Sequence, residues 1–275
     1  MKNLILRCIT GIVYIAVILA ALFTNLPVFF LIFGIIMLFA LNEFYKNLKI
    51  RGLDVDLVLS NILAISIYTL PIVALYTTKF STLPAIILFA LILFAIELFR
   101  EHENPFHRIA YGFLGIIYTC LPFTLLAFYK INSVLSTGYS GSNYASMMIL
   151  ALFIFTWSND TFAYCTGMLI GRHPLCPKIS PKKTIEGFCG GLIFTIAIAI
   201  ILEKTLLPGL NGRLIILSIL IVIFSTLGDM VESRFKRYIG VKDSGKMLPG
   251  HGGFLDRFDS IIFSIPIFFA YLQMF

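Results

Sequence analysis

Four aspartates, Asp160, Asp229, Asp256 and Asp259, stand inside or at the ends of long apolar runs. An acidic side chain near the middle of a membrane-spanning helix costs about 2.5–3.5 kcal/mol on insertion scales, so four of them need a use beyond packing. Helical spacing groups their neighbours. Asp229, Glu232, Ser233 and Lys236 follow an i, i+3, i+4, i+7 pattern and share a face. Asp256 and Asp259 are three apart with Arg257 beside them, and Asp160, Tyr164, Gly167 and Gly171 line one stripe whose glycine spacing suits close helix contact. Three uses fit such carboxylates: an ion or proton pathway, a divalent-metal site, or a set of interhelical salt bridges such as Asp256 to Arg237.

Two basic segments favour the metal site. Residues 171–187 contain Ser180, Lys182, Lys183, Thr184 and Glu186, and residues 233–253 contain Lys236, Arg237, Lys242, Asp243, His251, Gly252 and Gly253. Each mixes Lys and Arg with Gly, Ser or Thr, which is what holding phosphate oxygens with side-chain cations and backbone N–H groups requires. Carboxylates for a metal beside cations for phosphate point to phosphate chemistry.

The elements that position these residues follow from composition. The chain has 275 residues, 59% hydrophobic and 13% charged, with a mean hydropathy of +0.95. Soluble domains carry about twice that share of charge, which excludes a soluble globular domain, a disordered chain and a secreted disulfide scaffold. The fold class expected is an all-α polytopic integral membrane protein, since lipid accepts helices and the alternation of barrel strands is missing. Nine spans are expected: Leu4–Phe23, Leu26–Tyr45, Val55–Tyr76, Ser81–Phe99, Ile109–Tyr129, Ala145–Ile170, Phe188–Leu206, Leu214–Met230 and Phe254–Phe275. With that count, 17 of the 21 Lys and Arg share one side, which places the amino terminus in the cytoplasm and the carboxyl terminus outside. The first span reads as an uncleaved helix, because Ala20-Ala21-Leu22-Phe23 is a poor cleavage site.

Residues 1–144 form the expected packing half and 145–275 the catalytic region. In the first, Glu43 and Glu97 are expected to snorkel toward the headgroups, and the turn-rich run from Asn132 to Asn143 to form an external loop. The five cysteines form no CxxC pair and read as small apolar residues; His173 and Cys176 have ligand-like spacing, but no second pair answers them.

The run from Ser233 to Asp259 resembles the signature of the phosphatidate cytidylyltransferases (CDP-diacylglycerol synthases). Seventeen positions of its 27 carry the likeness: Ser233, Phe235, Lys236, Arg237, Lys242, Asp243, Gly245, Leu248, Pro249, His251, Gly252, Gly253, Phe254, Asp256, Arg257, Phe258 and Asp259. A second block is similar too, from Trp157-Ser-Asn-Asp160 through Tyr164, Gly167 and Gly171 to Ile179-Ser-Pro-Lys-Lys-Thr-Ile-Glu-Gly187 and Gly190-Gly191. The resemblance implies a membrane enzyme of phospholipid synthesis that joins CTP and phosphatidic acid into CDP-diacylglycerol and pyrophosphate. It implies Mg²⁺ as cofactor, with a second cation an open option, and the bacterial inner membrane as address. The bilayer is a partner, nucleic acid is not expected to be one, and self-association is left open.

On this reading a phosphatidate oxygen displaces pyrophosphate from the α-phosphorus of CTP. A phosphate monoester is already largely dianionic near neutral pH, so charge neutralisation matters more than a strong base. Asp229 and Asp256 are the expected metal ligands, with Asp160 and Asp259 as further ligands or their supports. Lys182, Lys183, Lys236, Arg237 and Lys242 would neutralise phosphates, while Ser180, Thr184, Gly252 and Gly253 would donate hydrogen bonds to them. His251 could protonate the leaving pyrophosphate or form a local hydrogen bond. Asp243 and Arg257 complete the catalytic candidates, and Trp157 and Tyr164 are expected as packing or interface aromatics. The rivals are a transferase for another lipid or polyprenol phosphate, and a transporter with ion-binding aspartates.

Overall fold

Long runs of Leu, Ile, Phe and Ala favour helices wherever the backbone must satisfy its own hydrogen bonds. In the computed structural model these runs are helical; the structure describes residues 2–76, 82–99, 104–245, 247 and 252–274. In chain order they are α1 (Lys2–Phe23), α2 (Leu26–Ile50), α3 (Leu57–Tyr76), α4 (Thr82–Leu98) and α5 (Pro105–Gly115). A π-helical turn, Ile116–Cys120, leads into α6 (Leu121–Ile170), then β1 (Pro174–Cys176), β2 (Ser180–Thr184), α7 (Ile185–Thr205), α8 (Arg213–Ile239) and α9 (Leu255–Leu272).

The chain divides into two compact units, residues 1–142 with 243–257, and residues 143–242 with 258–275. The first unit has an aromatic core in which Phe29, Phe33, Tyr45 and Phe123 are almost fully buried. Polar ties fix its helices: Asn42 and Asn61 exchange amide hydrogen bonds at 3.1 and 2.9 Å, and the Tyr45 hydroxyl donates to the Gly112 carbonyl at 2.7 Å. The second unit buries Phe153 and Phe155 of α6, Leu217 and Ile221 of α8, and Phe258 and Phe268 of α9.

Three expectations are revised. Helix α6 runs straight through 132–143, where a loop was expected. Inside a helix a serine hydroxyl can turn back onto the chain, as Ser136 does onto the Asn132 carbonyl at 2.9 Å, so turn composition alone did not break it. Among the described residues the all-α expectation holds apart from one antiparallel hairpin, β1–β2, in the first basic segment, pairing Pro174 with Thr184 and Cys176 with Ser180, and an isolated β-bridge at Gly252. Glu43 and Glu97 do not snorkel; they are 7% and 4% exposed, Glu97 being paired with Arg108 Nε at 2.8 Å. Arg108 also pairs with Asp54.

Five described helical stretches are long and apolar enough to cross a membrane: Leu26–Ile50, Pro105–Ser136, Asn143–Ile170, Ile185–Thr205 and Arg213–Ile239. The described apolar parts of α1 and α3, Ile9–Phe23 and Leu57–Val73, are shorter. Helix α9 has 18 residues and opens with Asp256, Arg257 and Asp259, which lowers its apolar character.

Candidate active site

The second unit gathers three carboxylates. One oxygen each from Asp229, Glu232 and Asp259 lies within 4.8 Å of the others. Helix geometry places the first two, since residues three apart on α8 share a face. Asp259 comes from α9, and Gly228 permits its approach: a Cβ at 228 would stand 2.6 Å from the Asp259 carbonyl oxygen and 2.8 Å from Phe263 Cβ. Asn159 ties α6 to α8, donating to Ser225 Oγ at 3.3 Å and Thr226 Oγ1 at 3.4 Å.

Burial sharpens the charge problem. Glu232 is fully buried, Asp259 is 8% exposed and Asp229 is partly open. Lys183, from β2, pairs with Asp229, and Lys236, one turn beyond Glu232, pairs with Glu232. Ser233 donates its hydroxyl to Asp229 Oδ1 at 3.2 Å, and the Ser260 N–H donates to Asp259 Oδ1 at 2.6 Å. Asp160 is exposed on α6 and its charge bears on Asp259. Three carboxyl groups stand against two lysines, and an all-oxygen donor set of this kind suits a hard divalent cation such as Mg²⁺.

The hairpin that delivers Lys183 is held at its base. Thr184 caps α7 by accepting the Gly187 N–H at 3.1 Å. The Glu186 carboxylate accepts from the N–H groups of Arg172 and His173 and contacts His173 Nδ1 at 2.6 Å. His173 thus closes the hairpin with Glu186. Glycines bring α6 and α7 together as their spacing suggested: a Cβ at Gly187 would stand 2.7 Å from the Ala163 carbonyl oxygen, and one at Gly167 3.1 Å from Thr184 Oγ1. Ser180 is half-buried and Lys182 exposed on β2, while Arg237 and Lys242 are exposed at and beyond the end of α8.

The first unit holds the remaining candidates. Asp256 accepts the N–H of Ser244 at 2.9 Å and of Gly253 at 2.8 Å on Oδ2. One N–H assigned to phosphate, that of Gly253, is therefore engaged with Asp256. Gly252 has a φ of +87°, a left-handed conformation that favours glycine. Asp243 and Arg257 are exposed, and His251 lies outside the described residues.

Two acidic residues stand out that the sequence reading did not assign to the site. Glu232 joins Asp229 and Asp259, and its signal was present in the i+3 spacing. Glu43 accepts the Leu255 N–H at 2.9 Å across more than two hundred residues of sequence, and no local spacing could reveal that.

The profile of the cytidylyltransferase family matches residues 5–275. The chain belongs to this family. It is 35% identical to a phosphatidate cytidylyltransferase of Staphylococcus epidermidis over 262 residues, covering 95% of this chain and 96% of that protein. It is 36% identical to the phosphatidate cytidylyltransferase of Staphylococcus haemolyticus and 33% identical to that of Staphylococcus aureus, over the same shares of each chain. As a member of the cytidylyltransferase family, the chain is a CTP-dependent nucleotidyltransferase.

Proposed function

We propose that this protein is a phosphatidate cytidylyltransferase that joins CTP and phosphatidic acid into CDP-diacylglycerol and pyrophosphate. The observation that carries the reading is the Asp229–Glu232–Asp259 group with Lys183 and Lys236 upon it, in a chain similar along nearly its whole length to proteins of that activity. A phosphatidate oxygen forms the new bond to the α-phosphorus of CTP, the bond to the β-phosphate bridging oxygen breaks, and pyrophosphate leaves. The obstacle is the meeting of two anions, so positioning and fixed positive charge supply most of the rate.

Asp229, Glu232 and Asp259 would hold a Mg²⁺ ion, Asp256 has the ligand role that the family resemblance implies, and Asp160, whose negative charge bears on Asp259, would add to the field that draws the ion. When bound, the metal neutralises phosphate charge and favours departure of pyrophosphate. Lys183 and Lys236 carry ammonium groups that can serve carboxylate or phosphate, and Lys182, Arg237 and Lys242 add exposed positive charge for the triphosphate and the lipid phosphate. Ser180 and Thr184 donate hydroxyl hydrogens to phosphate oxygens, since a hydroxyl that accepts one bond can still donate. Gly252 and Gly253 shape the backbone beside Asp256. Asp243, His251 and Arg257 keep the catalytic roles that the resemblance implies.

The membrane reading accompanies this. A site on the cytoplasmic face of the bacterial inner membrane, the side that the positive-inside rule gives to the basic segments 171–187 and 233–253, would let phosphatidate keep its acyl chains in lipid while CTP arrives from the cytosol.

The test is direct. Purified protein is incubated with labelled CTP, phosphatidic acid and Mg²⁺, and CDP-lipid and pyrophosphate are measured. Equal amounts of both are expected, with none when Mg²⁺ is chelated. Preferential labelling of a polyprenyl phosphate in an acceptor panel would move the assignment to another lipid acceptor, and no CDP-linked product with any acceptor would overturn it.

A further inference from the structure

Glu43 lies on α2 and is 7% exposed, so its carboxylate must be answered by specific donors. Its Oε2 accepts the Ser244 hydroxyl at 3.3 Å and the Leu255 N–H at 2.9 Å. One turn later on the same helix, Asn47 donates its amide to the Ser244 carbonyl at 2.9 Å. The Ser244 hydroxyl, donating to Glu43, also accepts the Asp256 N–H at 3.2 Å, while the Ser244 N–H donates to Asp256 Oδ2 at 2.9 Å. Glu43 therefore reaches Asp256 through one shared residue, which grips both the backbone and the carboxylate of that aspartate.

The glycines around this contact have a common reason. A Cβ at Gly245 or Gly253 would fall on the Glu43 carboxylate, so the segment brings bare backbone against it. Phe39, one turn before Glu43, packs its ring on Phe254 at 4.9 Å between centroids. Three successive turns of α2 thus hold both ends of the segment from Ser244 to Asp256.

We propose that Glu43 is a positioning residue that sets the backbone and carboxylate of Asp256 through Ser244. Its catalytic consequence rests on the phosphatidate cytidylyltransferase reading, but its structural consequence does not. The carboxylate acts as an acceptor, so a glutamine, whose amide oxygen accepts in the same way, substitutes for it, and an alanine does not.

The experiment compares Glu43→Ala, Glu43→Gln and Ser244→Ala in the full-length protein, by amide hydrogen exchange and by steady-state kinetics. Glu43→Ala is expected to speed exchange at Ser244, Gly253, Leu255 and Asp256 by about 10-fold or more while leaving α8 unchanged. It should lower kcat by about 10–100-fold, the usual loss when a support behind a ligand is removed. The KM for CTP should move by less than about 3-fold, since the substrate contacts themselves are untouched. Glu43→Gln should restore kcat to within about 3-fold of wild type. Ser244→Ala, which leaves Glu43 in place, should reproduce the faster exchange at Asp256 and the loss of kcat. Unchanged exchange over 244–256 in Glu43→Ala overturns the proposal, as does an equal loss of kcat in the alanine and glutamine variants. If Glu43→Ala does not fold, Ser244→Ala decides, and wild-type exchange and turnover in it overturn the proposal. A wild-type protein that makes no CDP-lipid defeats the enzyme reading alone, because the exchange measurement stands apart from activity.

Discussion

Asp229, Glu232 and Asp259 repel one another, and Lys183 and Lys236 offset part of that repulsion. If these carboxyl oxygens are what hold a divalent cation, replacing one carboxylate by an amide must weaken the ion's hold. Glu232→Gln is therefore expected to raise the Mg²⁺ concentration needed for half-maximal rate and to lower kcat by at least about 100-fold, the upper end of what loss of an outer support costs. Titrating activity against Mg²⁺ checks this, and an unchanged titration would remove Glu232 from the metal group. Lys183→Ala tests the other sign of charge. Losing one charge-assisted contact to phosphate, about 1.5–3 kcal/mol, should raise the KM for CTP by roughly 10-fold or more; a KM within about 2-fold of wild type would confine Lys183 to its pair with Asp229. Both residues illustrate what spacing can carry. The i, i+3 pair on α8 was legible, but the same pattern serves an i, i+4 ion pair with Lys236, so Glu232 was not singled out as a ligand. Glu43 was noticed as an acid in an apolar run, whereas its partners at Ser244 and Leu255 depend on tertiary contacts that no local pattern encodes.

Helices set these residues by how closely they approach. Gly228 faces the backbone of Asp259, and an added methyl there must push α8 from α9 because the atom it meets is main chain. Gly228→Ala is expected to destabilise the protein by about 1–3 kcal/mol, as overpacking does, and to reduce turnover by spreading the carboxylates. Thermal unfolding in detergent alongside kcat measures both, and wild-type values for the two would show that the helices yield without consequence. Thr184 is subtler, since its hydroxyl caps α7 and was also assigned to phosphate. Thr184→Ala should cost about 1 kcal/mol of stability and Thr184→Ser almost none. A rise in the KM for CTP in the alanine variant, absent in the serine variant, would add the phosphate role to the cap. The helices themselves were legible because their apolar runs are long. The β1–β2 hairpin was not, because strands of three and five residues carry too little alternation to stand out from a basic loop. The helix through 132–143 was hidden for the opposite reason: serines and glycines that favour turns are also tolerated within a helix that is fixed on both sides.

At the scale of the whole molecule, the proposed chemistry requires the basic hairpin to face the compartment that holds CTP. The positive-inside rule predicts the cytoplasm for that side, and α7, with 21 residues, is about 32 Å long and sufficient to cross the hydrocarbon core. Positions before and after α7 should then open to opposite sides. Cys176 lies in the hairpin before it and is partly exposed, whereas Thr205 ends the helix and is exposed. With Cys8, Cys120, Cys165 and Cys189 replaced by alanine, a membrane-impermeant maleimide is expected to label Cys176 in inside-out vesicles and to spare it in right-side-out ones. Thr205→Cys, in a background that also lacks Cys176, should show the reverse. The pair of measurements separates two errors: exchanged labelling would invert the orientation while keeping the crossing, and labelling of both positions from one side would mean that α7 does not cross. Labelling of Cys176 in right-side-out vesicles would carry Lys182 and Lys183 away from the arrangement that the transferase reading needs, because CTP and the lipid phosphate must meet those lysines from the cytosolic side.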